Sequence, residues 1–279
     1  MLLQKWMPFR RIFFDCDSTL SAVEGIDELA REKGLFDEVQ RLTNAAMDGE
    51  VHLESVYDRR LQLLRPTRGE IRRLEQRYRE TVIPDAAAVI AALQFLGKTV
   101  FIVSGGLLPA VRPFGEWLGV PAENIRAVDV EYDSLSGEWW NYQKDHWGER
   151  PDVRYLKHDE GPLVQSTGKI DVIRRLQKGH PARSLLVGDG ISDLAARSAV
   201  DRFIGFGGVV RREKVARAAD IFIAVPELSP VLALTTDAAE RARLRDSPFA
   251  AVLARGMALL ASAQVSFTRA EWRKSAVRG

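Results

Sequence analysis

The stretch Ile12-Phe13-Phe14-Asp15-Cys16-Asp17-Ser18-Thr19 joins a short apolar run to two aspartates and two hydroxyl side chains. A short apolar run that stops at polar residues is typical of a buried parallel strand at its carboxyl end. Period-two alternation predicts that Asp15 and Asp17 project to the same side while Cys16 points away. One carboxylate of such a pair can act as a nucleophile while the other transfers protons. Acids after a strand are also common as turn or capping residues, so this pair alone leaves both alternatives open.

Similar apolar runs follow along the chain, at 100–103, 125–130, 185–187, 203–204 and 221–225. Helical patterns lie between them, at 84–96 before Gly97 and at 169–176 before Gly179. This alternation predicts the α/β class, with a doubly wound (Rossmann-like) parallel sheet. Ligands of such sheets bind at the carboxyl ends of the strands, where we expect Asp15, Ser104 and Asp189.

The segment 23–82 differs, because its apolar residues follow helical spacing with no strand run between them. Thr67 and Glu70 have the spacing of a capping box at the start of its last helix. We therefore predict a helical cap at 23–82, inserted into an α/β core formed by 1–22 and 83–279. The core is expected to end in a helical extension from about residue 229, in which the apolar run 248–263 packs into the core or, as the alternative, forms a subunit contact.

Three further strings complete the candidate site: Val103-Ser104-Gly105-Gly106, Gly168-Lys169 and Gly188-Asp189-Gly190-Ile191-Ser192-Asp193. The Ser104 hydroxyl and neighbouring backbone N–H groups can bind phosphate oxygens, since the glycines allow close approach. The Lys169 ammonium can neutralise negative charge that develops on a phosphoryl group. A glycine turn and a surface lysine are the plain alternatives, and the combination of the strings argues against them.

The acids Asp15, Asp17, Asp189 and Asp193 are expected to converge on a metal ion. Two like charges about 4 Å apart repel by on the order of 4 kcal/mol near a protein surface, and a divalent cation removes that conflict. Oxygen ligands favour Mg²⁺ over zinc, because the four histidines show no clustered spacing.

Composition and charge indicate which classes of molecule the protein binds. The 279 residues carry a net charge of +2, from 40 basic and 38 acidic residues, which gives no nucleic-acid signature. No apolar stretch is long enough to span a membrane, and the first residues do not have the pattern of a signal peptide. The single cysteine, Cys16, cannot form an internal disulfide. We expect a cytoplasmic protein with no nucleic-acid or membrane partner, either a monomer or a homodimer.

Taken in this order, the four strings resemble the haloacid dehalogenase superfamily over roughly residues 12–225. Within it, Phe14 to Leu20 (FDCDSTL), the string EGIDELA at 24–30 and the string FIGFGG at 203–208 resemble the phosphoserine phosphatase family. The resemblance implies a Mg²⁺-dependent phosphomonoesterase of serine biosynthesis, which hydrolyses O-phospho-L-serine to L-serine and phosphate through an aspartyl-phosphate.

The resemblance also implies roles for individual residues. Asp15 would be the nucleophile and Asp17 the general acid and base. Mg²⁺ would be held by the Asp15 side chain, the Asp17 carbonyl and Asp189, with Asp193 in support. The substrate-binding residues carried over are Ser104, Gly105 and Lys169 for the phosphate, Glu24 for the ammonium, Arg60 for the carboxylate, and also Ser192 and Arg212.

Two parts of the chain depart from the family pattern. The stretch 133–166, which contains Trp139, Trp140 and Trp147, and the tail beyond Ser229 are longer than the family requires. Either part can reshape the pocket mouth or form a dimer surface. The substrate therefore stays open to another small phosphomonoester, or to phosphoryl transfer to an alcohol. A phosphoaspartate signalling protein is the alternative of another class, and Asp17 argues against it, since a base beside a phosphoaspartate shortens its lifetime.

Overall fold

The computed structural model describes residues 8–47, 51, 53–137, 150–179 and 182–278. The strands are β1 (Arg11–Phe14), β2 (Thr99–Leu107), β3 (Ile125–Val128), β4 (Val130–Asp133), β5 (Arg154–His158), β6 (Ser184–Gly188), β7 (Arg202–Phe206), β8 (Ile221–Ile223) and β9 (Val265–Phe267). The helices are α1 (Gly25–Glu32), α2 (Phe36–Met47), α3 (Leu53–Leu64), α4 (Arg68–Glu80), α5 (Ala86–Phe95), α6 (Leu108–Trp117), α7 (Gly168–Gln177), α8 (Ile191–Ala196), α9 (Glu213–Ala218), α10 (Ser229–Thr235), α11 (Ala238–Arg245), α12 (Ala250–Ala261) and α13 (Ala270–Arg278).

Seven strands form the central sheet in the order β3-β2-β1-β6-β7-β8-β9. The strands pair in parallel except β9, which runs antiparallel to β8. Alternate residues of β1 enter two separate cores: Ile12 and Phe14 face one core, and Phe13 faces the other. Helices α5, α6 and α10 supply the first core, and α7, α8 and α9 supply the second. Since helices cover both faces of a mostly parallel sheet, the predicted doubly wound α/β fold is confirmed.

The candidate catalytic strings meet at one edge of this sheet. In the paired register, Phe14 lies beside Ile102 of β2 and Val187 of β6, so the three strands reach the same edge together. Strand β2 is longer than the predicted run 100–103, and Ser104 lies inside it. The pairing of β2 with β3 shifts between Val103 and Leu107, which marks an irregularity in the strand at the glycines.

Helices α1 to α4 lie between β1 and α5. The described residues of this segment form no strand. The chain leaves the core and returns to it side by side, because Ser21 and Val82 form an isolated antiparallel bridge. The predicted capping box at the start of α4 is present: the Thr67 hydroxyl accepts from the Glu70 N–H, and the Glu70 carboxylate accepts from the Thr67 N–H. These helices form the segment predicted as a cap.

The predicted strand 125–130 is wrong in its last two residues. The run breaks at Asp129, and Val130 begins β4, which pairs with β5 in a separate antiparallel hairpin. Backbone bonds join the hairpin to the turn before α4, from Tyr155 N to the Pro66 oxygen and from Arg68 N to the Val153 oxygen. The tryptophans of the predicted insertion, Trp139, Trp140 and Trp147, lie outside the described residues.

The extension beyond Ser229 is not helical throughout, because β9 adds an edge strand to the sheet. Helix α12 within the apolar run 248–263 buries Leu253, Gly256, Leu259 and Leu260. A Cβ at Gly256 would lie 2.1 Å from the Ser229 carbonyl oxygen, so glycine permits this close packing of α12 on α10. The described helices include none with the length and apolar character that a membrane span needs.

Candidate active site

The loop after β1 carries both aspartates of the first string. Strand β1 ends at Phe14, and the residues that follow form bends and turns, in which Ser18 has φ +51°. Strand alternation therefore does not explain why Asp15 and Asp17 line the same cavity; the turn does. Cys16 is fully buried and is not among the residues that line this cavity.

Lys169, at the start of α7, links two of the acids. Its Nζ lies 2.8 Å from Asp15 Oδ2 and 2.7 Å from Asp193 Oδ1. Burial lowers the pKa of Lys169, but the two carboxylates outweigh burial and raise that pKa above its ordinary value. The side chain is only 3% exposed, so the site contains a fixed, desolvated positive charge beside Asp15.

Three buried carboxylates provide a possible metal centre. One oxygen from each of Asp15, Asp189 and Asp193 lies within 4.8 Å of the other two. Burial, together with the nearby Glu24 and Asp15, raises the pKa of Asp189 well above its ordinary value. An all-oxygen set with excess negative charge fits a hard divalent cation such as Mg²⁺. Within the described part of the chain, no other group of three such residues comes this close together.

Asp17 lies outside this carboxylate cluster and is held by the cap. Its Oδ1 accepts hydrogen bonds from Tyr78 Oη and from Gly25 N, each at 2.7 Å. Ser104 Oγ approaches its other oxygen, Oδ2, at 3.5 Å. Burial raises the pKa of Asp17 to about 7, with Glu24 and Asp15 adding to the rise and the two hydrogen bonds opposing it.

The Ser104-Gly105-Gly106 segment forms one wall of the site. Ser104 Oγ accepts from Gly106 N at 3.0 Å, and Tyr57 of α3 donates to the Gly105 carbonyl at 2.9 Å. A Cβ at Gly106 would lie 2.7 Å from Asp17 Oδ2, so a side chain there would collide with the acid. This explains why the chain needs glycine at this position.

A cavity of about 340 Å³ connects these groups with residues of the cap. All the predicted site residues except Asp193 line it: Asp15, Asp17, Glu24, Arg60, Ser104, Gly105, Lys169, Asp189, Ser192 and Arg212. Asp193 lies behind Lys169 and accepts its hydrogen bond. The structure therefore brings together side chains that are up to 197 positions apart in the numbering, from Asp15 to Arg212.

The cavity carries opposite charges at the positions predicted for substrate contacts. Glu24 Oε1 accepts from Ser18 Oγ at 2.8 Å and lies 3.4 Å from Arg212 Nη2. Arg212 Nε also donates to Asp189 Oδ2 at 3.1 Å, so Arg212 connects Glu24 to the carboxylate cluster. Arg60 is 8% exposed, and its Nη1 donates to Thr43 Oγ1 at 3.1 Å. Its buried Nε finds no acceptor among the described residues.

Sequence reasoning missed two tyrosines of the cap. Tyr57 in α3 and Tyr78 in α4 fit the helical spacing of the apolar residues of 23–82, and that spacing marks neither of them as a site residue. Both side chains are buried, yet each hydroxyl donates to a group of the site. A buried tyrosine needs a partner for its hydroxyl, and that need is the signal that could have found them.

A buried acid beside a fixed cation, with an oxygen-rich cation site at the carboxyl edge of a doubly wound sheet, defines a hydrolase suited to phosphate esters. The model of the haloacid dehalogenase-like hydrolase family matches residues 12–197. The chain belongs to this family, and it is an enzyme of the phosphatase class.

Relatives and solved structures agree with this assignment. The phosphoserine phosphatase of Homo sapiens is 33% identical over 205 residues, which cover 73% of this chain and 84% of the relative. That of Drosophila melanogaster is 33% identical over 214 residues, covering 76% of this chain and 73% of the relative. A solved structure described as a phospho-aspartyl intermediate analogue of phosphoserine phosphatase is similar with a TM-score of 0.63 at 25% identity, covering 81% of this chain and 98% of that chain.

Proposed function

We propose that this phosphatase hydrolyses O-phospho-L-serine to L-serine and phosphate, as a step of serine biosynthesis in the cytoplasm. The observation that carries the proposal is that Glu24 and Arg60 line the same cavity as Asp15 and Lys169. A carboxylate suits the ammonium of the substrate and an arginine fork suits its carboxylate, while the phosphate faces the acids. A cavity of about 340 Å³ suits a small phosphorylated metabolite.

The reaction divides into two displacements. The Asp15 carboxylate attacks phosphorus and forms an aspartyl-phosphate, while Asp17 gives a proton to the departing serine oxygen. Asp17 then takes a proton from the water that attacks the aspartyl-phosphate, which releases phosphate and restores both acids. Lys169 neutralises charge on the phosphoryl oxygens, and the hydroxyl of Ser104 and the N–H of Gly105 donate to them.

Mg²⁺ is part of the proposal. Asp15, Asp189 and the Asp17 carbonyl would hold the ion, with Asp193 in support, and the bound ion would neutralise phosphate charge. The chain's own contribution is the desolvated carboxylate cluster, whose mutual repulsion a cation relieves.

A panel of phosphorylated metabolites, assayed for phosphate release in the presence of Mg²⁺, tests the substrate. We expect the highest kcat/KM for O-phospho-L-serine, and loss of turnover in Asp15→Asn. A higher kcat/KM for another alkyl phosphate would reject the substrate, and sustained activity of Asp15→Asn would reject the nucleophile. Product analysis with added alcohols separates hydrolysis from phosphoryl transfer.

Metal removal tests the cation. Chelation should abolish activity, and Mg²⁺ should restore it and raise the melting temperature of the metal-free protein, since a ligand that binds only the folded state stabilises it. The matched variant Asp189→Asn should lose the thermal shift. An equal shift in wild type and Asp189→Asn would show that the ion binds elsewhere.

A further inference from the structure

The hydroxyl of Tyr78 contacts the acid Asp17 directly, although it belongs to helix α4 of the cap. The Tyr78 side chain is fully buried, and its Oη lies 2.7 Å from Asp17 Oδ1. The backbone N–H of Gly25, at the start of α1, donates to the same oxygen at 2.7 Å. Both donors to Oδ1 therefore come from the helical segment, while Asp17 itself belongs to the core.

Two donors on one carboxyl oxygen decide where an acidic proton can lie. A carboxyl oxygen has two lone pairs in the carboxyl plane, so donation by Tyr78 and Gly25 occupies both positions on Oδ1. A proton carried by Asp17 must then reside on Oδ2. That oxygen is 3.5 Å from Ser104 Oγ and faces the wall of the cavity that contains Gly106.

The packing around Gly25 leaves space for the contact between the Tyr78 hydroxyl and Asp17. A Cβ at Gly25 would lie 2.3 Å from Tyr78 Oη and 3.0 Å from Leu74 Cδ2. Any side chain at this position would therefore displace the Tyr78 hydroxyl from Asp17. Because Gly25 has no side chain, the Tyr78 hydroxyl can reach Asp17.

We propose that Tyr78 is a positioning residue for Asp17: its hydroxyl keeps the acidic proton on Oδ2, toward the leaving oxygen of the substrate. It also makes the orientation of the acid depend on how α4 sits over the core. The inference rests on the proposed function, because it takes Asp17 as the acid that protonates the leaving group.

The dependence of rate on the leaving group provides the test. An alkoxide such as that of serine needs protonation as it departs, whereas the phenolate of p-nitrophenyl phosphate leaves without it. The quantity to compare is kcat/KM, because it reports the steps up to departure of the leaving group and excludes hydrolysis of the aspartyl-phosphate. For Tyr78→Phe we expect kcat/KM on O-phospho-L-serine to fall by about 10-fold or more, and on p-nitrophenyl phosphate by less than about threefold.

Tyr155→Phe is the matched control. Tyr155 is also buried, and its hydroxyl bonds to His158 Nδ1 at 2.7 Å and to Asp58 of α3 at 3.3 Å, without contacting Asp17. A structural role for a buried hydroxyl would affect both substrates alike, so this variant should change their ratio by less than about twofold. Equal losses on both substrates in Tyr78→Phe, or no loss on either, would overturn the proposal.

Two further measurements keep the outcomes separate. If the wild-type enzyme prefers another alkyl phosphate, the proposed substrate fails, and the comparison is repeated with that ester against p-nitrophenyl phosphate. If thermal melting shows that Tyr78→Phe does not fold, Gly25→Ala displaces the same hydroxyl and should produce the same selective loss. Equal loss on both esters in Gly25→Ala would count against the proposal.

Discussion

Arg60 combines deep burial with an incomplete set of hydrogen-bond partners. Its guanidinium lines the cavity from α3, yet among the described residues only Thr43 Oγ1 accepts a hydrogen bond from it, and its Nε has no acceptor. Burial lowers the pKa of Arg60, while Tyr57, Glu24 and Asp27 oppose that effect. A buried cation of this kind is stabilised when an anion reaches it, and the carboxylate of an amino-acid substrate is such an anion.

Substitution of Arg60 should therefore affect recognition of one substrate group. We expect Arg60→Met to raise KM for O-phospho-L-serine by about 10- to 100-fold, the cost of a hydrogen-bonded pair of charges. Hydrolysis of phosphoethanolamine, which keeps the ammonium and lacks the carboxylate, should change by less than about threefold. Steady-state kinetics on the two esters makes the comparison.

Arg60→Lys is the control that keeps the charge without the planar fork. Its KM for O-phospho-L-serine should lie between that of the wild type and that of Arg60→Met. A parallel rise in KM for both esters in Arg60→Met would mean that Arg60 shapes the cavity without recognising the carboxylate.

At the residue scale, some residues of the site can be predicted from the sequence, and others are found only in the structure. Asp15, Asp17, Asp189 and Lys169 could be predicted, because strand ends and short strings mark them. Tyr78 could not, since a tyrosine in a helical apolar stripe has the same pattern as a core residue. Only the fold shows that its hydroxyl reaches the core acid Asp17, which lies 61 positions away.

At the scale of the element, helix α4 depends on the carboxylate that caps it. Glu70 accepts from Thr67 N at 2.7 Å and from Lys33 Nζ, in the turn after α1, at 2.9 Å. Burial by itself raises the pKa of Glu70, but the bonds from Lys33 and Thr67 outweigh it, so the pKa is lowered. Glu70 therefore couples two helices of the cap through its charged form.

The sign of the pH dependence follows from that lowered pKa. Because the carboxyl has a lower pKa in the folded than in the unfolded chain, its stabilisation is present above the unfolded pKa of about 4.3 and is lost as the pH falls through the folded pKa. Glu70→Gln keeps an acceptor for Thr67 N and removes the charge. We expect it to be less stable than wild type by about 0.5 kcal/mol at pH 7, with the difference vanishing toward pH 3.

Urea unfolding of both proteins from pH 7 to pH 3 measures this difference. Glu80 is exposed on the same helix, where it accepts from Gln76 and pairs with Arg77, so Glu80→Gln serves as the control for an exposed ion pair of α4. A difference between Glu70→Gln and wild type that stays constant with pH would mean that the ion pair with Lys33 adds nothing.

Elements were predictable to the extent that their patterns were long or closed by a marked residue. Helices α5 and α7 end before Gly97 and Gly179, which adopt φ +74° and +79°. Because glycine favours this conformation after a helix, the ends of both helices can be predicted from the sequence. Strand β9 has three residues and no such mark. The break between β3 and β4 falls at the single residue Asp129, and the antiparallel pairing of β4 with β5 assigns the second strand to a separate sheet.

At the scale of the whole molecule, the C-terminal extension is joined to the core by buried polar contacts. The Asp85 carboxylate, before α5, accepts from Leu228 N and Ser229 N at the start of α10. Every residue of α10 is buried, so the helix packs as part of the core. Contacts between residues more than 140 positions apart therefore hold the extension on the core. No local pattern of the sequence predicts these contacts.

Lys98 and Glu240 are the charged part of this junction. The Lys98 side chain is 0% exposed, and its Nζ lies 2.7 Å from Glu240 Oε2 and 2.9 Å from the carbonyl oxygens of Phe9 and Thr235. Burial lowers the pKa of Lys98, and Glu240 opposes that shift. Removal of the glutamate charge takes away the carboxylate that pairs directly with this buried ammonium, and leaves the two neutral carbonyl oxygens and the nearby charge of Asp237.

We therefore expect Glu240→Gln to lower the free energy of unfolding by about 3 kcal/mol, because the loss of one partner of a buried pair is costly. The site lies elsewhere in the fold, so kcat at 25 °C should stay within about twofold of wild type. Glu227→Gln is the matched control: it breaks the exposed pair with Arg255 and should cost about 0.5 kcal/mol or less. Chemical denaturation of the three proteins gives both values. Equal destabilisation by the two variants would mean that the buried pair does not join the extension to the core, and that apolar packing of α10 and α12 alone holds it.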